Sequence, residues 1–186
     1  MKRGKKIVML AHCILNVNAK VEGIAEVSGG CSELVGLLLE KGYGIIQLPC
    51  VEQDMCGILR WGQVEEQLNH PGFRKRCRTL LEPIVLQVQD FAEHGYNICA
   101  VIGLDGSPSC GVHKTCSGQW CGEIGEGYGV LEKAKTLTNK TTPGVMMQVL
   151  EQMLCEAGLS VPFYAIEEAD LETGAQQVLT QIQKGI

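Results

Sequence analysis

The sequence predicts an α/β fold built around a mostly parallel sheet of about four strands. Two observations carry this prediction. Short, continuously apolar runs, which are typical of strands buried on both faces, recur along the chain. Longer stretches with apolar residues at helical spacing separate them. Such alternation favours a parallel sheet whose strands are joined by right-handed helical crossovers.

The predicted elements follow one another as strand and helix in regular order. The strands are expected at residues 7–11, 44–48, 98–104 and 161–166. Apolar residues at helical spacing predict separate helices: one begins at Ser32, another includes residues 83–91, and two more cover residues 145–154 and 171–182. This order predicts one Rossmann-like, three-layer α/β/α domain over residues 1–186. Ligands bind such sheets beyond the carboxyl ends of the strands.

Composition and charge narrow the class of protein. Hydrophobic residues make up 45% of the chain and charged residues 20%, which is typical of a globular protein. The apolar run after the basic first residues is too short for a signal peptide, and no other run approaches a membrane span. We therefore expect a cytoplasmic protein without membrane contact. The net charge of −5 disfavours nucleic acid as a partner.

Ten cysteines require an explanation other than disulfides, because cytoplasmic thiols stay reduced. Three of them stand where predicted strands end: Cys13 follows the first, Cys50 ends the second and Cys110 follows the third. The carboxyl ends of parallel strands meet at one edge of a sheet. The sequence therefore predicts a metal or cluster site shared by these three thiols.

Thiolates select zinc, copper(I) or iron-sulfur clusters. Zinc ligands usually come in closely spaced pairs, and here only Cys116 and Cys121 have such a spacing. Three separated thiolates would complete three corners of a cubane and leave one iron open, which points to chemistry rather than electron transfer.

The remaining residues of interest have two interpretations each. His12 and His113 are candidate general bases, although a hydrogen-bonded structural role is favoured. The glycine-rich segment 122–129 matches neither phosphate-loop pattern. Among the other cysteines, packing is expected for Cys77, Cys99 and Cys155, whereas Cys31, Cys56, Cys116 and Cys121 lie in segments that could approach the site.

Three motifs resemble those of the thiouracil desulfidase family. They are Cys-Ile-Leu at 13–15 followed by Glu-Gly at 22–23, Cys-Val-Glu-Gln at 50–53, and Ser-Pro-Ser-Cys-Gly at 107–111, which is the most specific. Fainter likeness continues through residues 117–122 and 144–168. The resemblance thus spans most of the chain.

The resemblance implies an oxygen-sensitive 4Fe-4S cluster held by Cys13, Cys50 and Cys110. It also implies that Glu52 and Ser107 assist the reaction, with Ser109 as a second candidate. The expected activity is hydrolysis of C=S to C=O in a small thiocarbonyl compound such as a thiouracil, at the open iron of the cluster. A small thio-compound is then the expected partner, and a homo-oligomer stays open.

The chain also departs from the family pattern. Val51 replaces a proline, Asn16 replaces a glycine, and Lys-Val-Glu-Gly at 20–23 replaces an Arg-Tyr-Asp-Gly type sequence. Further family residues are replaced within 54–60. These positions surround the pocket more than the cluster, which indicates a divergent desulfidase with another thio-compound as substrate. The alternatives are a non-catalytic metal-binding or redox-sensing thiol protein, and a desulfidase of thiolated tRNA.

Overall fold

The strands form two sheets in the computed structural model, which describes residues 3–127, 129–167 and 171–185. A parallel sheet has the spatial order β2-β1-β3-β6, and β4 pairs with β5 in a small antiparallel sheet. The strands are β1 (Lys6–Leu10), β2 (Tyr43–Gln47), β3 (Asn97–Leu104), β4 (Thr115–Ser117), β5 (Thr138–Lys140) and β6 (Phe163–Ile166).

Helices connect and cover the strands of the parallel sheet. Two pairs pack together, α2 with α8 and α5 with α7, and the fold is a Rossmann-like α/β arrangement. The predicted fold class is confirmed. The helices are α1 (His12–Leu15), α2 (Ser32–Glu40), α3 (Val51–Cys56), α4 (Glu65–Leu68), α5 (Pro71–Glu93), α6 (Val130–Ala134), α7 (Val145–Glu156) and α8 (Leu171–Lys184).

The two central strands form the core of the sheet. In β1, Val8, Met9 and Leu10 are fully buried, and residues 100–102 of β3 are equally inaccessible. Strands covered by helices on both faces have no solvent-exposed face, so their sequences do not alternate apolar with polar residues. This is why continuous apolar runs were sufficient to locate them.

The small antiparallel sheet was not predicted. It joins β4 to β5, with Thr115 opposite Lys140. All three residues of β5 are exposed, so β5 carries no apolar pattern that would indicate a strand.

The topology positions a ligand site between β1 and β3. From β1 the chain passes to β2 on one side, and β3 then pairs with the other side of β1. The crossovers leave in opposite directions at this point, which opens a crevice at the carboxyl ends of β1 and β3. Among the described residues, no helix has the length and apolar character needed to cross a membrane.

Candidate functional site

Cys13 is delivered to the crevice by β1. The strand ends at Leu10, and the Ala11 amide then donates to the Ile102 carbonyl at 2.9 Å, so the end of β1 is tied directly to β3. The short helix α1 begins at His12 and places Cys13 in its first turn. Because this turn is attached to fully buried strands, the thiol has little freedom to move away from the edge.

Cys50 and Glu52 come from the end of β2. The Leu48 amide donates to the Leu10 carbonyl at 2.8 Å, which keeps the two strand ends in register. Cys50 is the N-cap residue of α3, and Glu52 lies in the first turn of that helix. The helix ends after six residues at Gly57, whose φ of 77° favours glycine.

Cys110 lies in a loop that folds back over the end of β3. The Leu104 amide donates to the Cys110 carbonyl at 3.0 Å. The Ser107 hydroxyl oxygen accepts the amide of Cys110 at 3.1 Å and that of Ser109 at 3.3 Å, which forms a tight turn below the thiol. Cys110 Sγ also lies within hydrogen-bond distance of Ser107 Oγ, at 3.2 Å. Ser107 therefore touches the thiol and shapes the loop that carries it.

Ser109 is buried and supports the same loop through its backbone. Its carbonyl accepts the amides of Met146 at 3.0 Å and Met147 at 3.3 Å, in the first turn of α7. Gly144 lies so close that an added Cβ would stand 2.5 Å from the Ser109 carbonyl carbon and oxygen. The cysteine loop is thus packed tightly between β3 and α7.

Asp105 braces this loop from the side. Its Oδ1 accepts the amides of Val112 and His113, both at 2.9 Å, and its Oδ2 lies 3.0 Å from His113 Nδ1. Burial raises the pKa of Asp105, but the hydrogen bonds from His113 and Val112 outweigh it, so the pKa lies below its usual range. His113 is exposed and paired with this carboxylate, which is the hydrogen-bonded arrangement favoured for it.

Two of the predicted thiols contact each other. A hydrogen bond from Cys110 lowers the pKa of Cys13 against the opposing effect of burial, and the charge of Lys20 lowers it further. The same interaction, together with burial, raises the pKa of Cys110 well above its usual range. Within this pair Cys13 therefore loses its proton more readily than Cys110.

Cys50 lies within electrostatic reach of both partners. Burial raises the pKa of its thiol to about 11, and the negative charges of Glu52 and Cys110 add to this effect. At the carboxyl edge of the sheet the pKa is therefore lowered at one thiol and raised at the other two. We call Cys13, Cys50 and Cys110 the thiol edge.

The thiol edge fits an iron-sulfur cluster in the kind of donor that it offers. Across residues 3–127, 129–167 and 171–185, no group of three or more His, Cys, Asp or Glu side chains is arranged to hold a metal ion. The cysteines are not spaced around a cluster, because the thiols of Cys13 and Cys110 interact directly. Cluster ligands bind different iron atoms and so need not converge on one point. To hold a cluster, the side chains of Cys13 and Cys110 would have to rotate so that their sulfur atoms move apart.

Glu52 is the acid nearest to the thiols and is only 7% exposed. Its Oε2 accepts a hydrogen bond from Arg60 Nε at 3.4 Å, and Arg60 also donates to the Ala19 carbonyl at 2.7 Å. Burial raises the pKa of Glu52 and the Arg60 charge partly offsets this. The role of Arg60 was not predicted, because nothing in the sequence indicates that this arginine folds back under α3.

A lysine was also missed. Lys20 is half-buried and lines a small cavity of about 10 Å³ with Cys13 and Cys31. Burial lowers the pKa of Lys20, while the nearby thiols of Cys13 and Cys110 raise it. A positive charge thus faces the same thiols as the negative charge of Glu52.

The other cysteines separate by location. Cys31 is buried beside the thiol edge, and Cys56 ends α3, where burial and the charge of Glu52 raise its pKa. Cys116 lies in β4, and Cys121 lines a different cavity. The predicted packing role is confirmed for Cys77 and Cys99, which are buried. It is wrong for Cys155, which is exposed on α7.

Fold and site together define a Rossmann-like α/β protein with a thiol edge at the switch point of its sheet. The chain is 38% identical over 112 residues to the uncharacterized protein MJ0003 of Methanocaldococcus jannaschii, and the match covers 60% of this chain and 71% of that protein. The chain belongs to the same family as this archaeal protein. No protein-family model matches the chain. No solved structure matches it either.

Proposed function

We propose that the chain is an iron-sulfur-dependent desulfidase of the cytoplasm, which converts the C=S group of a small thio-compound such as a thiouracil into C=O. The observation that carries this proposal is the meeting of Cys13 and Cys110, with Cys50 in electrostatic reach, at the carboxyl edge of the sheet. The motifs that resemble thiouracil desulfidases contain these same three residues. A buried acid, Glu52, and the Ser107 hydroxyl lie beside them.

Cys13, Cys50 and Cys110 would hold a 4Fe-4S cluster as thiolates. When bound with three protein ligands, such a cluster supplies an iron that is open to a soft sulfur ligand and polarises the C=S bond as a Lewis acid. The lowered pKa of Cys13 favours the thiolate form that ligation requires.

Glu52 is the proposed general base. A carboxyl group whose pKa is raised by burial holds a proton more tightly than an exposed one, so it is better suited to take a proton from water. The guanidinium of Arg60 orients the carboxylate through its Oε2 atom and favours its ionised form against the effect of burial. The water oxygen then attacks the thiocarbonyl carbon, and the proton taken by Glu52 passes to the leaving sulfur, which restores the base.

Ser107 is the proposed substrate-positioning group. Its oxygen is fixed by two backbone amides, so the hydroxyl has a defined place next to the Cys110 sulfur. Lys20 adds a positive charge near the thiols, where sulfide leaves as an anion. The reaction balances as thiocarbonyl plus water giving carbonyl plus hydrogen sulfide, and no oxidant or reductant is consumed.

Anaerobic reconstitution with iron and sulfide, followed by a sulfide-release assay, tests the proposal. We expect one cluster per chain and release of sulfide from 2-thiouracil, 4-thiouracil or another thiocarbonyl compound in a panel. The control is the same preparation with Cys13, Cys50 and Cys110 all replaced by serine. A fully reconstituted protein that releases no sulfide from any member of the panel contradicts the desulfidase assignment.

A redox-sensing thiol protein is the second candidate, and the contact between Cys13 and Cys110 favours it. A thiol of lowered pKa in contact with a second thiol is the arrangement from which a peroxide forms a sulfenic acid and then a disulfide. Mass spectrometry after mild peroxide treatment would detect loss of two hydrogens and a Cys13–Cys110 cross-link. Rapid formation of this disulfide in a protein that binds no cluster would support the redox-sensor assignment and contradict the desulfidase assignment.

A further inference from the structure

A second concave region is separate from the thiol edge. It is a cavity of about 460 Å³ lined by residues 61–63, Gln67, residues 120–124, Val130 and Lys133. Cys13, Cys50 and Cys110 are not among its lining residues. Its volume falls in the range of small-molecule sites, roughly 300 to 1,000 Å³. We call it the aromatic cavity.

Both tryptophans of the chain line this cavity. Trp61 is 71% exposed, which is unusual for so large an apolar side chain. The Trp120 indole N–H donates to the Gly62 carbonyl at 3.0 Å, and this bond holds the two loops of the cavity together. Elsewhere Phe91 and Tyr96 pack ring against ring at 4.9 Å. Neither tryptophan has such a ring partner within the described part of the chain.

The polar groups of the aromatic cavity suit the edge of a heterocycle. Gln63 and Gln67 line it, and a glutamine amide both donates and accepts hydrogen bonds. The Gln67 oxygen is already used, because it accepts the Val64 amide at 3.1 Å. Its NH₂ group is therefore held in a defined orientation. Apolar walls with a few oriented amides are the usual composition of a site for a planar heteroaromatic ligand.

The charges in the cavity offset each other. The Glu123 carboxylate accepts the amides of Ile124 at 2.9 Å and Gly125 at 2.7 Å, which stabilise its negative charge. Lys133 faces the same carboxylate electrostatically. A negatively charged ligand would have to compete with Glu123 for Lys133, and a cation would meet Lys133 itself. The lining therefore favours an uncharged ligand.

We propose that the aromatic cavity binds an uncharged planar heteroaromatic compound of the nucleobase or nucleoside class, with its ring stacked on Trp61 and Trp120. This site is independent of the thiol edge and does not require a bound cluster. It gives the chain a recognition site in addition to its reactive one.

The intrinsic fluorescence of the chain is a direct test, because both of its fluorescent indoles lie in the cavity. Adenosine is titrated into the purified, cluster-free chain while tryptophan emission is recorded, and calorimetry gives an independent affinity. We expect saturable quenching. Stacking on one aromatic side chain contributes enough that Trp61→Ala should weaken adenosine at least about fivefold. Trp61 is exposed, so this variant should fold normally.

Two further ligands and one variant sharpen the result. Ribose, which has no ring to stack, should not bind, and adenosine monophosphate should bind no more tightly than adenosine. Leu59→Ala is the matched control, since Leu59 is 89% exposed two residues before Trp61 and does not line the cavity. No saturable binding of adenosine by calorimetry, equal binding by the Trp61→Ala variant, or stronger binding of the monophosphate would each overturn the proposal.

Discussion

The thiol edge and the aromatic cavity are built in opposite ways. The thiol edge is attached to the buried strands β1 and β3, and backbone hydrogen bonds and close packing hold the segments that carry its cysteines. The aromatic cavity is formed by surface loops next to the small sheet of β4 and β5, and its largest side chain is exposed. Reactive groups require fixed geometry, whereas a recognition surface tolerates adjustment.

The largest effect is expected at the ligands themselves. Replacing Cys13, Cys50 or Cys110 by serine should abolish the visible absorption of the reconstituted cluster, because a hydroxyl does not match a soft iron site. The affinity for adenosine should stay unchanged if the two regions are independent. Absorption spectra and calorimetry on the same anaerobic sample measure both.

Cys99→Ser and Cys155→Ser serve as controls that should keep the cluster, one buried and one exposed. If Cys116→Ser or Cys121→Ser removes the cluster as well, a fourth protein ligand exists and no iron is open to substrate. Loss of the cluster in Cys121→Ser would also show that the two regions are not separate, because Cys121 lines the aromatic cavity.

Glu52→Gln separates cluster binding from catalysis. The variant keeps the size of the side chain and removes the base, so turnover should fall by roughly 10² to 10⁴ while cluster content is unchanged. Asp54→Asn is the matched control, since Asp54 lies on the same helix but is exposed and pairs with Arg76. Sulfide release is measured per cluster. Equal turnover in wild type and Glu52→Gln would move the base assignment to His12 or His113.

Replacing one glycine in each region tests whether the thiol edge is packed more rigidly than the aromatic cavity. Gly144→Ala would drive a Cβ into the backbone of Ser109 and Cys110, so we expect a loss of about 1 to 3 kcal/mol in the free energy of unfolding. Gly62, which lines the aromatic cavity, has no atom within 4 Å of an added Cβ. Gly62→Ala should change stability by less than about 0.5 kcal/mol. Urea unfolding measures both, and similar values would remove the contrast between the regions.

The smallest effect is expected at Asp105, which braces the loop of Cys110. Its pKa is lowered in the folded protein, so its contribution to stability is complete above the unfolded pKa of about 3.9 and is lost as the pH falls through the lower folded value. Asp105→Asn should therefore cost about 1 kcal/mol at neutral pH, and the difference between wild type and variant should begin to narrow as the pH falls below about 3.9. Unfolding curves at pH 7 and pH 3 measure this, and a difference that persists unchanged at pH 3 would contradict it.

The sequence by itself determined the fold class and the main strands and helices. Buried parallel strands must be apolar along their whole length, and long helices must present an apolar stripe, so both leave patterns that do not depend on distant residues. The same logic placed Cys13, Cys50 and Cys110 at one edge, because a strand end is a topological position. Glu52 and Ser107 followed from resemblance alone, and their catalytic roles stay predictions.

Only the tertiary structure decided which side chains meet. The contact of Cys13 with Cys110, the pairing of Glu52 with Arg60 and the position of Lys20 join residues from separate loops. The aromatic cavity arises in the same way, since Trp61 and Trp120 lie far apart in sequence. Such contacts leave no periodic pattern, because they depend on how loops fold back across a finished sheet. Charge, burial and pKa at the site are therefore properties of the assembled fold.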